Sequence, residues 1–262
     1  MNITKTEQLM LDVMAELALA EEPIVFKGAM TLKLAVDGKT QTDICRTTRD
    51  IDGDWMRQNA SMEEMRCALT DAVKRVDASL SVTAYRTFSE NRSAGFWILN
   101  QNEEKLFKID LGLRRHPFYQ NYIFSYQGKM VFLKGATLSK MLADKVCAIS
   151  SQKVFRRAKD LIDTDIYSYC AGFDMLEVRR LAKESGHDIE NFDAFQNRQA
   201  DLRHAYEKLD DVVHKPDFDT LYARLSTFLK PFIENSMEPS VWNGMAWTDP
   251  QCEQGKTVRH GR

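Results

Sequence analysis

The segment RTTRDIDGDW, residues 46–55, carries carboxylates at alternate positions, Asp50, Asp52 and Asp54. In an extended chain residues i, i+2 and i+4 share a face, so a strand here would align like charges that repel unless a cation or water intervenes. Magnesium suits such a pair, since it favours oxygen ligands, accepts one or two carboxylates and leaves positions for water and substrate phosphates. A solvated acidic turn is the other reading of the same stretch. Asp54 continues the alternation but falls near the expected strand end, so it is not counted as a ligand. In KLFKIDLGL, residues 105–113, Phe107, Ile109, Leu111 and Leu113 take one face, and Lys108, Asp110, Gly112 and Arg114 the other. Asp110 therefore points away from the apolar side. It faces either solvent or Asp50 and Asp52, where a third carboxylate would bind a second metal or take a proton from an attacking hydroxyl. Upstream, FKGAM puts Gly28 at a strand-to-helix junction. The free amides and positive dipole of a helix start suit a phosphate, and glycine lets it approach the backbone, although glycine also ends strands for structural reasons alone.

Several elements must position these groups. Apolar residues from Leu9 to Leu19 recur at helical spacing, which predicts a helix over 4–20 ending near Pro23. PIVFKGAM reads as a short buried strand entering a glycine, and MTLKLAV as a helix packed by Leu32, Leu34 and Val36. The polar run DGKTQTDICRTT delays the acidic strand. Ser61 followed by Glu64 is a capping-box signature for a helix over about 62–76. LSVTAYRTF, AGFWILNQ, KLFKIDLGL and NYIFSYQGKMVFL read as strands, and the tight polar turns between them predict antiparallel neighbours. From Thr137 onward the pattern is helical. The fold expected is α+β: a mixed or antiparallel sheet with helices over 1–136, a helical domain over 137–251, and a polar tail over 252–262.

The chain has 262 residues, 44% hydrophobic and 28% charged, with a formal charge of −2. That is ordinary for a soluble globular protein and gives no global basic field, so a nucleic-acid partner would need a local patch. Two runs could hold an RNA backbone: Arg114, Arg115 and His116, and Lys153, Arg156, Arg157 and Lys159. Five scattered cysteines, Cys45, Cys67, Cys147, Cys170 and Cys252, form no CxxC and read as reduced thiols. No apolar run is long enough to span a bilayer. The N-terminal helix carries Glu7, Asp12 and Glu16, unlike a secretory signal, so a cytoplasmic protein without a membrane partner is expected. Trp242 and Trp247 are expected to pack back onto the C-terminal helices.

A glycine–small pair opening a helix, an Asp-x-Asp strand and a later strand with a third Asp resemble the nucleotidyltransferases of the DNA polymerase beta-like superfamily. FKGAMTLKL, RDID, FKIDLGL and LADKVCAISSQKVFRRAKDLIDTD, taken in order over residues 24–166, resemble more specifically the AbiEii-type toxin nucleotidyltransferases of abortive-infection and toxin–antitoxin systems. The resemblance implies that Asp50, Asp52 and Asp110 are catalytic and hold Mg2+. It implies that Lys27, Gly28, Ala29, Lys145, Lys159 and Asp160 bind nucleotide, and that Lys145 and Asp163 also belong to the catalytic set. It implies transfer of a nucleoside monophosphate from an NTP to RNA, such as the tRNA 3′ end, and a cognate antitoxin partner. A small-molecule or protein hydroxyl as acceptor, and a non-catalytic nucleotide-binding module, are the alternatives. The chain departs from the pattern in having Met30 where a hydroxyl is common, with twenty residues, Met30 to Arg49, between Ala29 and Asp50.

Overall fold

Period-two patterning and buried apolar faces build a seven-stranded mixed sheet in the computed structural model. The structure describes residues 3–37, 46–57, 59–87, 93–113, 118–210, 212 and 214–250. The chain divides into two compact units, Met1–Asp37 with Thr47–Thr137, and Gly38–Arg46 with Leu138–Arg262.

The first unit runs α1 (Lys5–Leu19), β1 (Ile24–Lys27), α2 (Gly28–Val36), β2 (Asp50–Trp55), α3 (Met62–Val76), β3 (Ser81–Arg86), β4 (Ser93–Leu99), β5 (Lys105–Gly112), β6 (Tyr119–Tyr126) and β7 (Lys129–Ala136). The strand order is β3-β4-β5-β2-β1-β7-β6. Sequential strands pair antiparallel within β3-β4-β5 and β6-β7, as the short turns require. The centre makes the sheet mixed: β1 pairs antiparallel to β2, but two other pairs are parallel. β2 pairs parallel to β5, and β1 pairs parallel to β7, because α3 and the β3–β4 hairpin lie between the partners in sequence. The run NYIFSYQGKMVFL is two strands; Gln127 and Gly128 turn the chain at φ of 49° and 74°.

Met10, Val13, Met14 and Leu17 of α1, Met65, Leu69 and Val73 of α3, and Phe107, Ile109 and Leu111 of β5 are buried in the core. Sheet polarity follows: Phe107, Ile109 and Leu111 of β5 are buried, while Lys108 and Asp110 on its other face are half-buried. Ser61 caps α3 by accepting from the Glu64 amide at 3.0 Å. The reciprocal half of that box is not made, because the Glu64 carboxylate goes to Arg57. The complete box is at α1, where Thr4 Oγ1 accepts from the Glu7 amide and Glu7 accepts from the Thr4 amide. Glu7 also takes Lys33 Nζ at 2.6 Å and the Thr48 amide at 2.9 Å, which fixes the chain entering β2.

The second unit holds α4 (Leu138–Ser150), a 3-10 turn (Val154–Arg157), α5 (Lys159–Ser168), α6 (Met175–Glu184), α7 (Asp193–Asn197), α8 (Gln199–Glu207) and α9 (Phe218–Ile233). A small antiparallel sheet of β8 (Phe173–Asp174), β9 (Val241–Trp242) and β10 (Trp247–Thr248) joins them. Trp242 and Trp247 do pack back. Their rings stand 4.9 Å and 5.9 Å from Phe228 of α9, and their indole N–H groups donate to the Ser168 and Phe228 carbonyls. Among the described residues no helix is long and apolar enough to cross a membrane. Arg114, Arg115, His116, Cys45, the inserted turn DGKTQTDIC beyond Asp37, and the tail from Cys252 lie outside the described residues.

Candidate functional site

Parallel pairing of β2 with β5 sets Asp52 directly opposite Asp110 and Asp50 opposite Lys108. Register partners project to the same side of a sheet, so Asp50, Asp52, Lys108 and Asp110 share one face. On the other flank of β2, Lys27 of β1 is the partner of Asp52, and Gly28 then opens α2. Gly28 has φ +75°, and a Cβ built there would land on Asp52 Oδ2. A side chain at position 28 is therefore excluded twice, by backbone and by the carboxylate. No side-chain hydrogen bond caps the start of α2, and Gly28, its first residue, stands against the Asp52 carboxylate.

Asp54 lies inside β2 rather than past its end. It is buried, with both oxygens on Lys27 Nζ at 2.7 and 2.8 Å. That closed pair explains why the third member of the acidic alternation is not at the site. It also means that Lys27, read as a nucleotide ligand, has its amine committed within the sheet. Ala29 sits in the first turn of α2.

Asp110 is surrounded by donors. Lys108 Nζ is 3.1 Å from its Oδ2 and 3.7 Å from Asp50 Oδ1. The Tyr85 hydroxyl donates to Asp110 Oδ1 at 2.5 Å, and Arg86 bonds the same oxygen. Consecutive strand residues normally face opposite ways, but the β3–β4 register shifts between Ala84 and Arg86. Such a bulge re-aims side chains, and here Tyr85 and Arg86 both reach Asp110. Burial disfavours the Lys108 charge, yet the hydrogen bond to Asp110 and the charges of Asp50, Asp110 and Asp52 outweigh it and hold its pKa above the ordinary lysine value. Burial and the Asp110 carboxylate push the Tyr85 phenol well above its usual range, so it stays a donor. Arg86 Nε is buried with no partner among the described residues, an unmet donor beside the carboxylates.

Among the described residues no three Asp, Glu, His or Cys side chains form a ready metal cage. The donor set nonetheless fits magnesium, which needs one or two carboxylates and completes its shell with water and phosphate. Asp52 beside the Gly28 cradle, with Asp50 and Asp110 on the same face, provides oxygen donors alone, and Lys108 supplies positive charge among them.

The second motif group converges within the second unit. Lys145 of α4 bonds Asp160 Oδ1 at 2.6 Å and Asp163 Oδ2 at 2.7 Å, so the two aspartates one turn apart on α5 meet a single amine. Arg46 reaches Asp163 Oδ1 at 3.0 Å, and Arg157 bonds Asp160. Lys145 thus projects onto α5 rather than into solvent. Burial disfavours ionised Asp163, but the Lys145 and Arg46 charges and hydrogen bonds more than offset it and hold its pKa at about 2. The charges and hydrogen bonds of Asp163 and Asp160 raise the Lys145 pKa against the cost of burial. Lys159 is half-buried at the start of α5, and Lys153 and Arg156 are exposed around the 3-10 turn.

Sequence reasoning missed the clamp of Tyr85 and Arg86 and the role of Arg46. Lys108 was legible, since it stands two residues before Asp110 on the same face. Nothing local marks Tyr85 and Arg86, which arrive two strands away through a bulge.

A family model described as "Nucleotidyl transferase AbiEii toxin, Type IV TA system" matches residues 11–242. Among solved structures, JHP933 from Helicobacter pylori is similar over 99% of this chain and 100% of that chain, at 13% identity and a TM-score of 0.58. At that identity the likeness speaks for the fold. MenT4, a nucleotidyltransferase toxin from Mycobacterium tuberculosis H37Rv, aligns over 87% of this chain and 90% of that one, at 15% identity and a TM-score of 0.49. No curated protein matches the chain.

Proposed function

This chain belongs to the AbiEii family of nucleotidyltransferase toxins, and from that premise we propose a magnesium-dependent transferase that moves a nucleoside monophosphate from an NTP onto RNA, such as the 3′ end of tRNA. The observation that carries the site assignment is the register of Asp52 with Asp110, together with the collision that a Cβ at Gly28 would make with Asp52 Oδ2. It joins two carboxylates and the glycine that opens a helix in one place.

Asp50 and Asp52 would hold Mg2+, with Asp110 as the third carboxylate. Bound metal supplies charge neutralisation across the NTP phosphates. Gly28 and the first-turn amides of α2 receive a phosphate. The acceptor hydroxyl attacks the α-phosphorus in line, and pyrophosphate leaves. Asp110 takes the hydroxyl proton on Oδ2, while Tyr85 and Arg86 hold Oδ1 and fix the carboxylate's orientation. Tyr85 and Arg86 are positioning residues in this scheme. Lys145, Lys159 and Asp160 are assigned to nucleotide binding by their motif, and Lys145 and Asp163 to the catalytic set. Lys145 supports that reading because its ammonium has three donors, two of them directed at Asp160 and Asp163. A third, without a partner among the described residues, is left for a phosphate oxygen. As a family member the protein has an antitoxin partner; a cytoplasmic location is part of the same proposal.

The test is incubation with Mg2+, each α-labelled NTP in turn and total bacterial tRNA, beside Asp52→Ala. Label on RNA and released pyrophosphate, both lost in the variant, are expected. Equal label from wild type and Asp52→Ala would remove the carboxylate assignment; pyrophosphate release with no labelled RNA would shift the acceptor to a small-molecule or protein hydroxyl.

A further inference from the structure

We infer that the paired rings of Tyr85 and Trp97 form a stacking subsite for a nucleobase, set beside the carboxylates on the same sheet face. The inference rests on the transferase reading for the identity of its neighbours. Trp97 of β4 is the register partner of Lys108, and Gly95 that of Asp110, so β4 extends the acidic face by one strand. Tyr85 lies across Gly95, where a Cβ would come within 2.5 Å of the Tyr85 ring. Glycine at that position leaves room for the ring against the strand. The two ring centroids are 5.4 Å apart with planes inclined by 40°.

Two further features mark the pair as a ligand platform. Tyr85 is 40% exposed, although large rings usually stay buried when an apolar core is at hand, and the core lies on the opposite side of the sheet. Cations also stand at both rings: Lys105 Nζ is 5.0 Å from the Trp97 centroid and the Arg86 guanidinium 5.8 Å from that of Tyr85. Aromatic faces interleaved with Lys and Arg are how proteins hold single-stranded nucleic acid, stacking bases on the rings and pairing phosphates with the cations. Arg86 Nε, buried without a partner among the described residues, adds a donor suited to a phosphate oxygen. Lys105 has a flexible stem and can leave the ring for a phosphate as a base takes its place. From β5 to β3 is two strand spacings, roughly 10 Å, the reach between a nucleotide's phosphates and its base.

The shared chemistry is a nucleobase, and it has two sources, the incoming NTP or the end of the acceptor RNA. The experiment measures binding of each NTP, and separately of fluorescein-labelled oligoadenylate and oligocytidylate RNA, to the full chain with Mg2+, for wild type, Trp97→Ala and Trp97→Phe. Trp97→Leu keeps apolar volume without an extended π face and reads the same quantity where the alanine variant does not fold. The expected result is a roughly tenfold or greater loss of affinity in Trp97→Ala and Trp97→Leu, the size of one lost base stack, with Trp97→Phe within about threefold of wild type, since a π face remains. Loss for NTP alone places the incoming base on the platform; loss for RNA alone places the acceptor base there. Affinities within twofold of wild type for both probes in Trp97→Leu overturn the subsite, as does a wild type that binds neither probe. Binding is read without turnover, so the two readings separate. Affinity lost in the variants with no label transfer by wild type sinks the transferase and keeps the subsite, whereas active transfer with unchanged affinities does the reverse.

Discussion

Asparagine at position 163 removes the anion from a buried network in which Lys145, Arg46 and Arg157 meet Asp160 and Asp163. The Asp163 side chain is only 3% exposed, so water cannot replace the lost charge. Its pKa falls from the ordinary 3.8 to about 2, which at neutral pH corresponds to about 2 to 3 kcal/mol of folding stability. Removing one partner also strands the remaining buried cations, a change that typically costs about 3 to 5 kcal/mol. Asp163→Asn is therefore expected to lose about 3 kcal/mol at pH 7, read as an earlier urea transition. The pH dependence has a fixed sign. A carboxylate with a depressed native pKa contributes fully above its unfolded pKa and loses that contribution as pH falls through the native one. The gap between wild type and variant should thus stay level from pH 8 to 5, narrow below about pH 4 and vanish near pH 2. A gap under about 1 kcal/mol at pH 7, or one that widens on acidification, would refute the account of the network. Transfer assayed well below the variant's unfolding transition then reports the functional share: loss of turnover in folded Asp163→Asn supports the catalytic assignment, and retention confines Asp163 to the fold.

Gly28→Ala should lose about 1 to 2 kcal/mol from its positive φ and at least tenfold in transfer, because Asp52 must move; wild-type turnover in a folded variant would exclude the phosphate cradle. Lys108→Met should be about 1 kcal/mol less stable than wild type in EDTA, since the cation shared by Asp50 and Asp110 is lost while Arg86 still holds only Asp110. Millimolar Mg2+ should raise its melting temperature more than that of wild type, and equal shifts would place the metal elsewhere. Glu7→Gln leaves Lys33, which is 2% exposed, without its counter-charge, and should cost about 3 kcal/mol by urea denaturation. Burial works against the Glu7 charge, but Lys33 and the Thr4 and Thr48 amides lower its pKa. The difference should accordingly persist at neutral pH and shrink as acid protonates Glu7.

Much of this protein was determined along the chain. Alternation in KLFKIDLGL separated Phe107, Ile109 and Leu111 from Lys108 and Asp110, because side-chain period is a local property of an extended backbone. The bounds of α3, Met62–Val76, followed from a serine cap and an amphipathic period. The ordered motifs carried the family. Tertiary structure decided the partners. Asp50, Asp52 and Asp54 look equivalent in sequence, yet antiparallel pairing with β1 gives Asp54 to Lys27, while parallel pairing with β5 sets Asp52 against Asp110. Whether two strands run parallel depends on how the intervening chain crosses over, which no local pattern encodes. The clamp on Asp110 needed a bulge in β3, and the charge on Asp163 needed Arg46 from 117 residues away. Such contacts are set by packing, so the candidate residue types were legible, and the ion pairs that fix their charge and direction were not.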